Sequence, residues 1–142
     1  MTGGDLPRGI AEVVEADDQG DVTLFYNRRI NTSAQRVAIA HGLGHIVFGD
    51  LARRRCSADG RHRPAEEHAE RRADLVAAEL LVPLHELDPA AGPELFPREP
   101  VAKQAFDDSV DQLASWFQVP PGFVRWRLWD LVHLRRSNFR IP

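Results

Sequence analysis

Two histidines four residues apart, His41 and His45, are the residues of this sequence best placed to do chemistry. They lie in an apolar run, from Val37 to Phe48, that has the length and composition of a helix. On a helix, residues i and i+4 lie one above the other on the same face, so two imidazoles can bind one metal ion. Histidines that are hydrogen-bonded in or near a core show the same spacing, and a metal site therefore needs a further ligand.

A second predicted helix, from about Pro64 to Leu81, supplies a candidate for that ligand. Catalytic zinc sites use three protein ligands and leave a fourth position open. Glu70 offers a carboxylate oxygen 25 positions after His45. Asp74 follows one turn later on the same face, where it is placed to hydrogen-bond a ligand histidine and fix its orientation. The alternative for Glu70 is a solvated salt bridge with a nearby arginine.

Gly42 follows the first histidine, at the position where the His-Glu-x-x-His helix of zinc peptidases has a glutamate. In those enzymes the glutamate takes a proton from the attacking water and passes it to the leaving amine. Glycine has no group that can do either, and loss of a positioned general acid or base lowers rates by a factor of about 10²–10⁴. The sequence therefore has the geometry for binding metal but lacks the usual base.

Three parts of the chain, in order, carry a resemblance to a known family. Residues 35–45 read QRVAIAHGLGH and resemble the Arg-Phe-x-x-Ala-His-Glu-Leu-Gly-His segment of the ImmA/IrrE metallopeptidases. Residues 70–83 read ERRADLVAAELLVP and are similar to the second signature of that family, a zinc-ligand glutamate followed by Ala-Asn and then Phe-Ala-Ala-x-Leu-Leu-Met-Pro. Residues 113–120 and 124–128, LASWFQVP and VRWRL, resemble the pattern that closes these domains, and the whole resemblance covers roughly residues 10–134.

The resemblance implies a zincin-like site in which His41, His45 and Glu70 bind zinc or another divalent ion. Asp74 would then orient a ligand, where the family often has asparagine, and Gly42 stands in place of the catalytic glutamate. Members of the family include peptidases that cut repressors or other transcription regulators, often ones with helix-turn-helix domains. We therefore expect a metallopeptidase-like, zinc-binding pseudoenzyme, inactive or strongly impaired, that acts on a protein partner such as a transcriptional regulator.

Two other functions stay open. One is a weak metal-dependent endopeptidase that cuts a repressor-type protein without the usual base. The other is a DNA-associated regulator, because the helix pair predicted at about 107–135, with its arginines, has the outline of a helix-turn-helix. The tryptophans and apolar stripe of that pair suit a core, and a net charge of −3 implies no overall attraction to nucleic acid or anionic membranes. Nucleic acid is therefore disfavoured as a partner.

Length and composition indicate one domain with one core, predicted over residues 10–142 after a flexible, glycine-rich N-terminus at 1–9. Cys56 is the only cysteine, which fits a reducing compartment because no intramolecular disulfide can form. The first seven residues lack the apolar core of a signal peptide, and the run from Val37 to Phe48 is too short to span a bilayer. We therefore expect a cytoplasmic protein without a membrane segment.

The predicted fold class is α+β, a small antiparallel sheet or hairpin packed on a helical core with the metal between the first two helices. Strands at Ile10–Val14 and Val22–Tyr26 flank the turn residues DDQG at 17–20. A basic loop is expected at 50–63 and an irregular, proline-rich excursion at 84–100.

The first helix should run from Ser33 to Phe48, capped by Asn31 or Thr32 with Gln35 completing a capping box. The third helix should begin at Asp107 or Asp108, and the fourth should run from about 121 to 135.

Apolar spacing predicts which helix faces are buried. The first helix should bury a stripe of Ile39, Leu43 and Ile46, with the histidines on a neighbouring face. The second should bury Ala73, Val76, Ala77 and Leu80. A glycine inside a helix costs about 1 kcal/mol relative to alanine, so the two glycines beside the histidines predict close packing or an open cleft there.

Overall fold

A computed structural model describes residues 1–51, 54–57, 67–91 and 103–136, and the chain divides into two units, Met1–Leu81 and Val82–Pro142. The first unit contains strands β1 (Thr2–Gly4), β2 (Ile10–Ala16), β3 (Val22–Asn27) and β4 (Arg54–Ser57), and helices α1 (Thr32–Val47) and α2 (Glu67–Leu81). The second contains helices α3 (Leu84–Ala91), α4 (Lys103–Phe117) and α5 (Pro121–Arg136). The predicted α+β class is confirmed, whereas the single domain over 10–142 stays a prediction.

The predicted hairpin forms the centre of a four-stranded sheet of order β1-β3-β2-β4. Strands β2 and β3 are antiparallel and place Val14 opposite Leu24. The turn closes because a side-chain oxygen of Asp17 accepts hydrogen bonds from the backbone N–H groups of Gln19 and Asp21, both 2.9 Å. Gly20 has a φ of 85°, which favours glycine at this point of the turn.

Two strands extend the hairpin on either side. The sequence predicts a flexible segment at 1–9, and the structure places Thr2–Gly4 in β1, parallel to β3. The basic loop predicted at 50–63 is wrong for Arg54–Ser57, which form β4 and pair with β2. The physical reason is that β2 has backbone hydrogen-bonding groups along both sides, and pairing satisfies those that β3 does not reach.

Helix α1 begins one residue earlier than the capping box requires. Asn31 is the N-cap, and its side-chain oxygen accepts a hydrogen bond from the N–H of Ala34 at 2.8 Å. The capping box is therefore wrong, because Gln35 is one residue too far along the helix. Its side chain instead donates to the carbonyl of Ile30 at 2.7 Å, which holds the segment before the helix.

The buried face of α1 differs from the predicted apolar stripe. Leu43 is 38% exposed and Ile39 and Ile46 are half-buried, so that prediction is wrong. The buried residues are small side chains and the two histidines: Ala38, Ala40, His41, Gly42, Gly44 and His45. The larger apolar residues lie at the periphery because α1 is approached closely by the sheet and by α2.

The two glycines of α1 permit these approaches, which confirms the prediction of close packing. A Cβ at Gly42 would overlap Cδ1, at the end of the Leu24 side chain, and lie 3.3 Å from Val14 Cγ2, on the sheet. A Cβ at Gly44 would lie 2.6 Å from Ala73 Cα, on the backbone of α2. Glycine is therefore required at 44 to bring the two helices together.

Helix α2 presents a face of small residues to this interface. Ala69, Ala73 and Ala77 are buried at i, i+4, i+8 spacing, and Leu80, predicted in the core, is 57% exposed. Leu80 is displaced because the close helix pair has room for alanine but not for leucine. The predicted end before Pro83 is confirmed, and the predicted start at Pro64 lies outside the described residues.

The second unit begins with a helix where an irregular segment was predicted. Helix α3 forms at Leu84–Ala91 because the carbonyl of Pro83 accepts hydrogen bonds from the N–H groups of Glu86 and Leu87. Leu87 is fully buried and holds this turn against its unit. Residues 92–100, the remainder of the predicted irregular segment, lie outside the described residues.

Helix α4 begins at Lys103, so the predicted cap at Asp107 or Asp108 is wrong. Both aspartates lie inside the helix and are held by side chains. The carboxylate of Asp107 accepts a hydrogen bond from Arg125 of α5 at 2.6 Å, and that of Asp108 accepts one from Gln104 at 2.8 Å. Among the described side chains of this helix pair, which end at Asp130, the buried ones are Val110, Leu113, Ala114, Val124, Arg127 and Leu128.

Among the described residues, no helix has both the length and the apolar character needed to cross a membrane.

Candidate metal centre

His41 and His45 lie on the buried side of α1, on consecutive turns. Their rings are nearly perpendicular, with an interplanar angle of 88° and centroids 4.8 Å apart. The side chain of His45 is fully buried and that of His41 nearly so. The predicted i, i+4 pair is therefore present. It lies on the buried face of α1 itself and not, as predicted, on a face beside the buried one.

Close packing at Gly44 brings a carboxylate to the two rings. Glu70 lies one turn before Ala73 on α2, and its side chain is buried. One of its oxygens, Oε2, is 3.5 Å from His41 Nε2, and the other, Oε1, is 3.5 Å from His45 Nε2. The structure therefore brings together the three residues that the sequence predicts as ligands.

Asp74 faces the same point from the next turn of α2. Its Oδ1 is 3.3 Å from His41 Nε2, and its side chain is 40% exposed, so it lies on the solvent side of the cluster. The shared face with Glu70 agrees with the sequence analysis. Asp74 approaches Nε2, however, and the other ring nitrogen of His41 is hydrogen-bonded to a residue of the sheet that is not among the predicted site residues.

That residue is Glu12, in the middle of β2. It is 2% exposed, and its Oε1 lies at hydrogen-bond distance, 2.5 Å, from His41 Nδ1. Strand alternation places Glu12 on the same face as Val14, which packs beside Gly42. A carboxylate on the inward face of a predicted strand is a signal that could have identified it.

Charges around His41 favour a cation at this position. Burial by itself lowers the pKa of the imidazole, but the hydrogen bond to Glu12 and the negative charges of Glu12, Asp74 and Glu70 together raise it above its usual value. The protein without an ion thus stabilises a proton on His41. The same carboxylates would attract a divalent cation.

Asp50 lies near the other histidine, just after α1. Its Oδ2 is 3.9 Å from His45 Nδ1, which is too long for a hydrogen bond, and Arg72 of α2 pairs with the same carboxylate at 3.1 Å. Glu70 is 4% exposed and lies against the imidazoles, so it does not have the solvated position that the alternative of a surface salt bridge requires; the loop arginines at 53–55, 61 and 63 lie outside the described side chains.

The donor set fits a metal ion such as zinc. Tetrahedral zinc, with bonds of about 2.0–2.2 Å to nitrogen and oxygen, separates neighbouring ligand atoms by about 3.4 Å. Each of the two Nε2 atoms lies 3.5 Å from a different oxygen of Glu70, close to that separation. Glu12, His41 and His45 also form a buried group whose potential ligand atoms lie within 4.8 Å of one another. This buried Glu-His-His cluster could bind a metal.

Comparison with known proteins agrees with this geometry. The family model of the IrrE N-terminal-like domain, peptidase M78, matches residues 13–128. The chain belongs to this family. The matched residues run from β2 into α5 and include both helices of the site, so the resemblance to the ImmA/IrrE family is confirmed. The M78 domain is a metallopeptidase domain, which acts on protein substrates. Among curated proteins, the chain finds no match.

Proposed function

We propose that this M78 domain binds one divalent metal ion, with zinc preferred, through His41, His45 and Glu70, and that it cleaves peptides poorly or not at all. The main support for the proposal is that the Nε2 atoms of His41 and His45 both face the buried carboxylate of Glu70, one at each oxygen. Nitrogen and carboxylate ligands of this kind suit zinc. Zinc bound there would supply a Lewis acid that polarises a carbonyl oxygen.

The surroundings of Gly42 support the loss of peptidase activity. Glycine cannot hold a proton, and the space that a side chain at position 42 would need is taken by Leu24 and Val14. An apolar contact thus replaces the base that the family resemblance implies at this point. Loss of such a base lowers the rate by a factor of about 10²–10⁴.

The role we propose is binding of a protein partner in the cytoplasm, such as a helix-turn-helix transcriptional regulator. A peptidase domain without its base can hold a substrate-like protein without cutting it. A regulator that binds the domain should therefore remain intact by mass spectrometry after long incubation with zinc-loaded protein. Stoichiometric cleavage within minutes would contradict a role in binding alone.

Metal content tests the site itself. Elemental analysis of purified protein should find about one zinc per chain in the wild type, and that zinc should be lost in His45→Ala. His68→Ala is the matched control, because His68 is an exposed histidine on α2 and should not change zinc content. Equal zinc in His45→Ala and wild type would show that the ligand assignment is wrong.

Weak peptide hydrolysis is the second candidate function, and the position of the Asp74 carboxylate favours it. Its carboxylate reaches both the ring of His41 and solvent, as a substitute base would have to do. Any zinc-dependent peptide cleavage by the wild type should then be lost in Asp74→Asn. A rate that Asp74→Asn leaves unchanged would exclude this residue as the base.

Among the described side chains of α4 and α5, the arginines favour contacts within the unit over DNA binding. Arg125 is bonded to Asp107, and Arg127 is buried with its Nε donating to the carbonyl of Val82 at 3.4 Å. Both side chains are therefore engaged within the second unit. The side chains of Arg135 and Arg136 lie outside those described.

A further inference from the structure

Glu12 is an unusual residue for its position. Strand β2 lies between β3 and β4, and Glu12 is paired in register with Tyr26 of β3 and Cys56 of β4. A carboxylate buried in an interior strand is costly unless it is strongly hydrogen-bonded. The bond from His41 Nδ1 at 2.5 Å supplies such a partner.

The two nitrogens of His41 face different carboxylates. Nδ1 faces Glu12, whereas Nε2 faces Glu70 and Asp74 at 3.5 and 3.3 Å. A neutral imidazole carries one proton, and only the nitrogen without it can bind a metal. The acidic groups of α2 favour the proton on Nε2, where it would block the site. Glu12 favours it on Nδ1, which leaves the lone pair of Nε2 directed at Glu70.

We propose that Glu12 is a positioning residue that holds His41 in the tautomer and ring orientation able to bind metal through Nε2. The inference rests on the proposed metal site and adds to it a carboxylate from the sheet, outside the two helices that carry the ligands. With the ion at His41 Nε2, Glu12 lies at the opposite nitrogen of the same ring and is not one of its ligands; an ion bound by Glu12 itself is the alternative that the affinity test distinguishes. Carboxylates that hold a ligand histidine in this way contribute about 10–100-fold to metal affinity.

Zinc affinity tests the proposal, measured by competition with a chromogenic chelator. Glu12→Gln keeps the shape of the side chain and removes its charge, and it should weaken zinc binding about 10–100-fold. Glu15→Gln, three residues along the same strand, is the matched control and should bind as the wild type does. Unchanged affinity in Glu12→Gln would overturn the proposal. A loss as large as that of His45→Ala would also overturn it, by showing that Glu12 is itself a ligand.

A second readout needs no metal. Ring ¹⁵N signals at high pH, in chelator, should show His41 with its proton on Nδ1 in the wild type and a shift toward Nε2 in Glu12→Gln. An unchanged tautomer would contradict the positioning role. If Glu12→Gln does not fold, Glu12→Asp replaces it, because this variant keeps the charge but shortens the side chain. An unchanged zinc affinity of Glu12→Asp would equally overturn the inference. Absence of zinc binding by the wild type would instead refute the proposed function, and the tautomer measurement would still decide the role of Glu12.

Discussion

The close approach of α1 and α2 makes Gly44→Ala a specific test of how the site is built. A Cβ at position 44 would lie 2.6 Å from the Cα of Ala73, whereas carbon atoms in contact prefer about 3.5–4.0 Å. The neighbour is backbone and cannot rotate away, so α2 must move outward by about 1 Å to restore an ordinary contact. That movement would also withdraw Glu70 from the histidines.

The expected loss of stability follows from two opposing terms. Overpacking in a core costs about 1–3 kcal/mol, and we expect the upper part of that range because backbone must move. Alanine recovers about 1 kcal/mol of helix propensity. Gly44→Ala should therefore lower the free energy of unfolding by about 1–2 kcal/mol. Gly42→Ala should cost less, because there the neighbours are the ends of the Leu24 and Val14 side chains.

Urea unfolding in the presence of a chelator measures these changes without interference from metal. Gly4→Ala is the control, since nothing lies within 4 Å of its Cβ position in β1. Zinc affinity of Gly44→Ala should fall as well, because the distances from Glu70 to the imidazoles would grow. Wild-type stability and wild-type zinc affinity in Gly44→Ala would refute this account of the helix interface.

Three further predictions concern chemistry at the site. Gly42→Glu alone should gain little peptidase activity, because Leu24 fills the space that the new side chain needs. Gly42→Glu combined with Leu24→Ala should raise zinc-dependent peptide cleavage up to about 10²-fold. No gain in the double variant would count against a peptidase-competent site. Because the pKa of His41 is raised in the metal-free fold, its proton stabilises the protein below the unfolded pKa of about 6.5, and this stabilisation is lost as pH rises through the raised value. The stability difference between wild type and His41→Gln in chelator should therefore shrink from pH 6 to pH 9, and a constant difference would contradict the electrostatic argument. Asp74→Asn removes one of the charges that raise this pKa, so the same decline should occur at lower pH, as measured by thermal unfolding.

Local sequence patterns were sufficient for the elements that depend on nearby residues. The turn at Asp17–Gly20 determines the hairpin, because its hydrogen bonds are all made within five residues. The i, i+4 spacing of His41 and His45 likewise places both rings on one side of α1. Their convergence with Glu70 was expected from the resemblance to a metallopeptidase family.

Contacts between distant segments could not be predicted in the same way. Ile39 and Leu43 have the spacing of a core stripe, but α1 buries its small face, because the approach of Ala73 to Gly44 is set by α2. Alternation with Val14 indicates that Glu12 lies on the inward face of β2, but the residue of α1 that it contacts depends on how the sheet packs against the helix. The start of α4 at Lys103 was not predicted because Asp107 and Asp108 resemble N-caps. In the structure both lie inside the helix and accept hydrogen bonds from the side chains of Arg125 and Gln104.

The zinc affinity of Glu70→Gln is the sharpest test of whether His41, His45 and Glu70 bind one metal ion. Glu70 is the ligand contributed by α2, and Glu67→Gln, an exposed glutamate on the same helix, is the matched control. Our account predicts that Glu70→Gln loses more affinity than the roughly 10–100-fold expected for Glu12→Gln, while Glu67→Gln binds zinc as the wild type does. Wild-type affinity in Glu70→Gln would contradict the metal site proposed for this M78 domain.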